Sequence, residues 1–198
     1  MNQMNDEMSV MITGVGGQGT VLASKILGLA AMKAGMDVKQ SEIHGMSQRG
    51  GSVVTHVRFG QNVHSPLVTK GSADVIMAFE ELEALRNLPY LKKAGLMIVN
   101  KQQMLPMPVI MGAAQYPVEP VNEIINQGAK EIAVDASGVG LALGDARTAN
   151  VVLLGVLAAA LPFPDEAWLE SIKESLRPEL ADVNLRAFRA GQEAAMAM

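Results

Sequence analysis

The sequence predicts an α/β fold: a three-layer α/β/α sandwich built on a mixed, mainly parallel sheet, with an antiparallel hairpin and C-terminal helices. Three observations predict it. A short apolar run ends in a glycine-rich turn and passes into a segment of helical periodicity, the pattern of a β-α-β unit. Short buried runs then recur at 75–79, 96–99 and 132–134, between helical stretches. From Val139 onward the pattern is helical.

Taken in order, residues 9–13 form a first strand centred on Val10, Met11 and Ile12. A glycine turn follows at 14–19. Residues 20–34 read as a helix, with Leu22, Ile26, Leu29 and Ala30 at helical spacing and Gly35 as the stop. Residues 37–42 are expected as the second strand, parallel to and paired with the first. A polar loop spans 44–51. Residues 52–59 and 63–68, separated by Gly60-Gln61-Asn62, read as the antiparallel hairpin. The strand at 75–79 leads into a helix through Leu82, Leu85 and Leu88. Pro106 and Pro108 break the chain before 109–111, and a short helix is expected at 121–126. The helical stretch 139–160 is interrupted near Gly144-Asp145. Asp165 is placed to cap a helix ending at Leu176, and a last helix starts near Pro178. Without an internal repeat or linker, residues 1–198 are expected to form one domain, with 1–8 a loose N-terminal segment.

Composition narrows the function classes. The 198 residues are 49% apolar and 18% charged, which suits a packed core rather than a disordered chain. A net charge of −4 argues against nucleic acid as a partner. No basic block marks a membrane surface, and the most apolar stretch, 151–161, is too short to span a bilayer; it reads as a buried helix. Residues 1–7 are polar and acidic, unlike a signal segment, and the expected address is cytoplasmic. There is no cysteine, so this chain offers no thiolate for a disulfide, a zinc site, an iron–sulfur cluster or nucleophilic catalysis. The 14 methionines are expected to fill the core or an interface.

Gly14-Val15-Gly16-Gly17-Gln18-Gly19 fits GxGxxG between a strand and a helix that opens at Thr20. Glycines permit a sharp turn and close approach, and amide groups at a helix start favour an anion. A turn that only packs strand against helix explains the same residues. Dinucleotide binding needs an acidic residue at the end of the second strand, and Glu42 lies near that place. An independent NAD(P)- or nucleotide-binding oxidoreductase is therefore the alternative function. No Walker lysine follows the glycines, which argues against a nucleoside triphosphatase.

The loop 44–51 gathers His44, Ser47, Gln48 and Arg49 between glycines. Arg49 suits bidentate pairing with a phosphate or carboxylate, and His44 titrates near neutrality. A solvated loop with a surface salt bridge is the competing explanation. His56 and His64 read as ordinary strand residues, and no histidine pair has metal-ligand spacing on a helix. Glu80, Glu81 and Glu83 read as a solvated helix start that complements the helix dipole. No self-sufficient catalytic constellation emerges, and no metal site is expected.

These segments together resemble the gamma domain of the pyruvate/ketoisovalerate ferredoxin oxidoreductase family. The resemblance rests on the glycine turn with Thr20, on the run 41–53 containing His-Gly-Met-Ser-Gln-Arg-Gly-Gly, and on His56-Val57-Arg58 and Ser65-Pro66-Leu67. It continues through Ala73-Asp74, the run 79–86, Val99-Asn100 and 150–155, covering roughly residues 8 to 190. Within it, the Ser-Glu-Ile-His-Gly-Met variant looks most like the beta subunits of indolepyruvate oxidoreductases. The resemblance implies an accessory subunit of an enzyme that oxidatively decarboxylates 2-oxoacids, with coenzyme A as acceptor and ferredoxin taking the electrons. It further implies that thiamine diphosphate and iron–sulfur clusters reside in a large alpha subunit, and that the isolated chain is inactive. Anion or interface candidates are Gly14, Gly16, Gly17, Gln18, Gly19, Thr20, Glu42, His44, Ser47, Gln48 and Arg49, with coenzyme A a possible ligand where the subunits meet.

Overall fold

The structure is a computed structural model that describes residues 7–44, 51–126 and 128–197. Six strands form one sheet: β1 (Met8–Val15), β2 (Asp37–His44), β3 (Ser52–Gly60), β4 (Ala73–Ala78), β5 (Leu91–Asn100) and β6 (Lys130–Val134), in the order β2-β3-β1-β4-β5-β6. β1, β4, β5 and β6 pair in parallel; β3 runs antiparallel to both its neighbours. The mixed α/β architecture expected from the sequence is thus present, with two corrections to the pairing. β2 does not pair with β1, because β3 lies between them. The hairpin is β2–β3, and residues 63–68 are not a strand. Their polar groups are satisfied individually instead: the Val63 amide donates to Asp37 Oδ2 at 2.9 Å, and the Val68 amide to His56 Nδ1 at 3.1 Å.

Period-2 alternation divides the sheet's side chains between two cores. Val10, Ile12, Val75, Met77 and Ile98 face one side, where α1 (Thr20–Lys33), α5 (Ala136–Ala142), α6 (Ala149–Ala160), α7 (Asp165–Ser175) and α8 (Pro178–Met196) pack. Met11, Ile76, Met97 and Val99 face the other, under α2 (Glu81–Asn87) and α4 (Pro120–Asn126). α6 is buried nearly all round, from Asn150 to Ala158, as its apolar run requires. Trp168 anchors the outer corner of this layer, with ring centroids 5.6 Å from Phe163 and 5.8 Å from Phe188.

The helix ends follow local chemistry. Gly35 takes φ +81° and closes α1, as expected. The break near Gly144 is also present: α5 ends there, and a 3-10 turn at Ala146–Thr148 feeds α6. Asp165 does not cap α7. It is the first helical residue, and its carboxylate instead pairs with Arg189 and accepts from Gln192. A short helix, α3 (Met107–Ile110), stands on the loop after β5 and buries none of its residues.

This topology fixes where ligands have room. The β1–β2 connection, α1, covers one face, and the β4–β5 connection, α2, covers the other. β1 and β4 are neighbours, so the chain reverses sense between their carboxyl ends. Open α/β sheets bind ligands at such a reversal.

Candidate functional site

The glycine turn occupies that reversal, and its residues divide into packing and lining roles. Gly14 belongs to β1 and is buried; a Cβ there would meet Gln18 Oε1 at 2.8 Å and Phe79 Cβ at 2.9 Å. Gly17 and Gly19 take φ +105° and +87°, a region that favours glycine. Gly19 also allows close approach of Asn150, whose Nδ2 would lie 2.6 Å from an added Cβ. Thr20 is the buried first residue of α1.

Gln18 braces the turn from within. Its Oε1 accepts the Val15 amide at 2.7 Å, while its Nε2 donates to the Phe79 carbonyl at 3.1 Å and to Gln102 Oε1 at 3.0 Å. On the opposite side the Gly16 amide donates to the Gly51 carbonyl at 2.9 Å. The turn is therefore tied to the ends of β1, β4 and β5 and to the residue that precedes β3.

Two grooves flank it. The first, about 640 Å³, lies between the turn and the ends of β2 and β3, and is lined by Gly17, Gly19, Lys25, Glu42, His44 and Val53. The second, about 480 Å³, lies over the ends of β4 and β5, where Gln18, Asn100, Gln102, Ser137, Arg147 and Asn150 converge. The structure thus brings Gly16, Gly17, Gly19, Thr20, Glu42 and His44 to one groove and places Gln18 at the other. They meet because the strand register sets Val15 opposite Ser52 and His44 opposite Val53, at the same sheet edge. Ser47, Gln48 and Arg49 lie outside the described residues, as do residues 1–6 of the expected loose N-terminus; the rest of that segment is not loose, since Met8 opens β1 and Glu7 pairs with Arg58.

Several polar side chains of the second groove are engaged within the fold. Asn100, 1% exposed, donates to the Phe79 carbonyl at 3.2 Å and accepts the Ala136 amide at 3.0 Å. Arg147 forms a two-point pair with Asp145, at 2.9 and 2.7 Å. That hydrogen-bonded guanidinium brings the Asp145 carboxyl down to about 2.

Two residues taken from the sequence as solvated prove otherwise: Glu80 and Glu83 are each 1% exposed. Glu80 caps α2 by accepting the Glu83 amide at 2.9 Å. Its other oxygen accepts the Met104 amide at 3.0 Å and the Tyr116 hydroxyl. Burial, then the neighbouring Glu80 carboxylate, push the Tyr116 phenol well above its ordinary value. Glu83 accepts from Ser52 Oγ at 2.6 Å and pairs with Arg86 at 2.6 Å. Sequence did hold one signal for this: an acceptor directly after a buried strand, with a second Glu three positions on, is an N-terminal capping pattern. Lys25, Arg147 and Asn150 carried no comparable signal.

The candidate site is thus a pair of grooves at one edge of a mixed α/β sheet, lined by the glycine turn, Lys25 and Arg147. Among the described residues, no three His, Asp or Glu side chains are grouped to hold a metal ion, and no helix is long and apolar enough to cross a membrane. The chain belongs to the pyruvate ferredoxin/flavodoxin oxidoreductase family, whose model matches residues 9–194. It is 45% identical, over 197 residues, to the indolepyruvate oxidoreductase subunit IorB of Thermococcus kodakarensis, covering 97% of this chain and 98% of that one. Its fold matches the gamma subunit of a keto/oxoacid ferredoxin oxidoreductase from Geobacter sulfurreducens with a TM-score of 0.73 at 22% identity, covering 96% and 99% of the two chains. It also matches 32% of a longer chain of the 2-oxoglutarate:ferredoxin oxidoreductase from Magnetococcus marinus, a structure with 2-oxoglutarate, coenzyme A and succinyl-CoA bound. There the TM-score is 0.77 at 20% identity over 98% of this chain.

The nucleotide-binding alternative loses its geometric basis. In a dinucleotide fold the ribose-binding carboxylate ends the strand next to β1. Here β3 is inserted, so Glu42 stands two strand spacings away, roughly 10 Å.

Proposed function

We propose that this chain is the small accessory subunit of an indolepyruvate or related 2-oxoacid:ferredoxin oxidoreductase, and that it works only in complex with a large alpha subunit. Thiamine diphosphate and the iron–sulfur clusters belong to that partner; a chain with no cysteine has no thiolate to ligate a cluster. With the partner, the enzyme oxidatively decarboxylates aryl or other 2-oxoacids, forms the coenzyme A thioester and passes electrons to ferredoxin. The observation that carries this reading is the end-to-end match to a small oxidoreductase subunit, on a domain that gathers anion donors without a catalytic constellation.

A second feature favours assembly. Residues 102–118 contain no charge, and Leu105, Met107, Ile110, Met111 and Val118 are exposed on this stretch beside the ligand edge. Contiguous exposed apolar surface on a folded domain suits a protein interface.

At the shared site, the glycine turn, the uncapped start of α1 and Lys25 suit a phosphate group of coenzyme A. His44 lines the same groove, and Gln48 and Arg49 follow in the adjoining sequence. Their chemistry is to bind and orient an anion, leaving bond making to the partner's cofactors.

The purified chain alone is expected to oxidise no 2-oxoacid. Adding the large subunit should give ferredoxin reduction that depends on an arylpyruvate and on coenzyme A. Turnover by the isolated chain at an enzymatic rate would overturn the assignment. Lys25→Glu, at an exposed position, and Arg49→Ala should each raise the coenzyme A KM about tenfold or more, the effect of losing roughly 1.4 kcal/mol of binding, whereas Arg147→Glu should leave it unchanged.

A further inference from the structure

We propose that Glu83 and Ser52 form a latch that positions the glycine turn, making both of them positioning residues for the ligand held there. The inference rests on the coenzyme A reading above and assigns a role to a buried carboxylate which that reading does not use.

The contacts run in one direction. Glu83, on the first turn of α2, is fixed from its own helix: its amide is held by Glu80, and Asn87 Nδ2 donates to its carbonyl at 2.9 Å. Arg86 occupies one carboxylate oxygen. The other oxygen accepts the Ser52 hydroxyl, at 2.6 Å, from the first residue of β3. Ser52 follows Gly51, whose carbonyl receives the Gly16 amide at 2.9 Å. A carboxylate on one face of the sheet therefore sets the height of the peptide against which the turn rests. Gln18 fixes the other flank of the turn.

Fold stability alone gives this arrangement little reason to exist. Ser52 is exposed and opens a strand already paired with β1 and β2, whereas a buried carboxylate is costly unless several donors meet it. What the pair does specify is geometry, to within a hydrogen-bond length, one residue from the peptide that meets Gly16. Preorganisation of this kind lowers the cost of binding.

The test uses the complex of the full chain with its large subunit. Ser52→Ala removes the hydroxyl at an exposed position where folding is not at risk. It should raise the coenzyme A KM about five- to tenfold, through lost preorganisation of the turn, with kcat within about twofold of wild type. The melting temperature of the chain should fall only modestly, by about 2–4 °C, because Arg86 still holds the Glu83 carboxylate. Ser52→Thr, which keeps the hydroxyl, should restore the KM, and Glu83→Gln should shift it in the same direction as Ser52→Ala. If Ser52→Ala leaves the KM at its wild-type value while Lys25→Glu raises it, the latch is overturned and the coenzyme A site stands. If neither variant moves it, both fall. A Ser52→Ala enzyme with lower kcat and melting temperature but unchanged KM would show a merely structural contact and also overturn the proposal.

Discussion

The crossing of α6 and α8 and the N-terminus of α2 are both buried, yet they are built from opposite chemistry. At the crossing there is almost nothing polar to satisfy. Gly155 and Gly191 let the two backbones touch: a Cβ on Gly155 would lie 2.1 Å from the Phe188 carbonyl oxygen, and one on Gly191 would lie 2.0 Å from that of Val152. At α2, two carboxylates are buried only because amides, hydroxyls and a guanidinium from four segments converge on them. The first region gains stability from close packing and apolar burial, which are nondirectional. The second yields little net stability and a great deal of geometry, since each hydrogen bond fixes an angle and a length. Chain segments that line the ligand edge are attached to the second region.

The largest expected effect breaks the comparison from the packing side. Gly155→Ala should destabilise the fold by about 3 kcal/mol, because the added methyl meets backbone that cannot rotate away. Urea unfolding would show it as a fall in midpoint with little change in slope. A loss under about 1 kcal/mol would mean that α8 slides freely on α6.

A smaller effect is expected at the polar hub. Tyr116→Phe leaves Glu80 with fewer donors and the Leu82 amide without its acceptor. It should cost about 1–2 kcal/mol while also loosening the segment after β5. Amide exchange over residues 102–118 should rise more than the global stability falls; uniform acceleration across the sheet would contradict this local role.

The smallest expected effect is a pH dependence at the edge of the second core. Burial lowers the His56 pKa below its ordinary 6.5, and its Nδ1 must be unprotonated to accept the Val68 amide. Above pH 6.5 the imidazole is neutral in both states and the contribution is complete. As pH falls through 6.5 the unfolded chain takes up the proton first, and stability declines until the lowered folded value is passed. His56→Gln should flatten the stability profile below about pH 6.5. An unchanged slope would assign that acid sensitivity elsewhere.

The reach of the sequence differed between these regions for the same reason. The apolar run 151–161 declares a buried helix, because burial all round leaves a pattern within a dozen neighbouring residues. The carboxylates of Glu80 and Glu83 look like any acidic helix start until Ser52, Met104 and Tyr116 arrive from more than twenty positions away. Of the candidate site, the glycine turn and its place at one sheet edge with Glu42 and His44 were legible, since strands running the same way deliver their loops to one edge. Lys25 and the whole second groove were not, because their placement depends on helix packing and on strands joined late in the chain.

By itself, then, the sequence determined the strand through Val10, Met11 and Ile12, the helix that stops at Gly35, the apolar α6, the lack of any thiolate and the glycine turn that opens α1. These rest on local periodicity, on backbone conformations that glycine favours, and on composition. Only the tertiary structure decided that β3 would lie between β1 and β2, that residues 63–68 would be a bonded loop rather than a strand, and that two glutamates would be buried. The physical reason is that a strand's alternation fixes which side chains face a core but not which neighbour supplies its hydrogen bonds. That choice, like the burial of a charge, is settled by groups brought together only when the sheet closes.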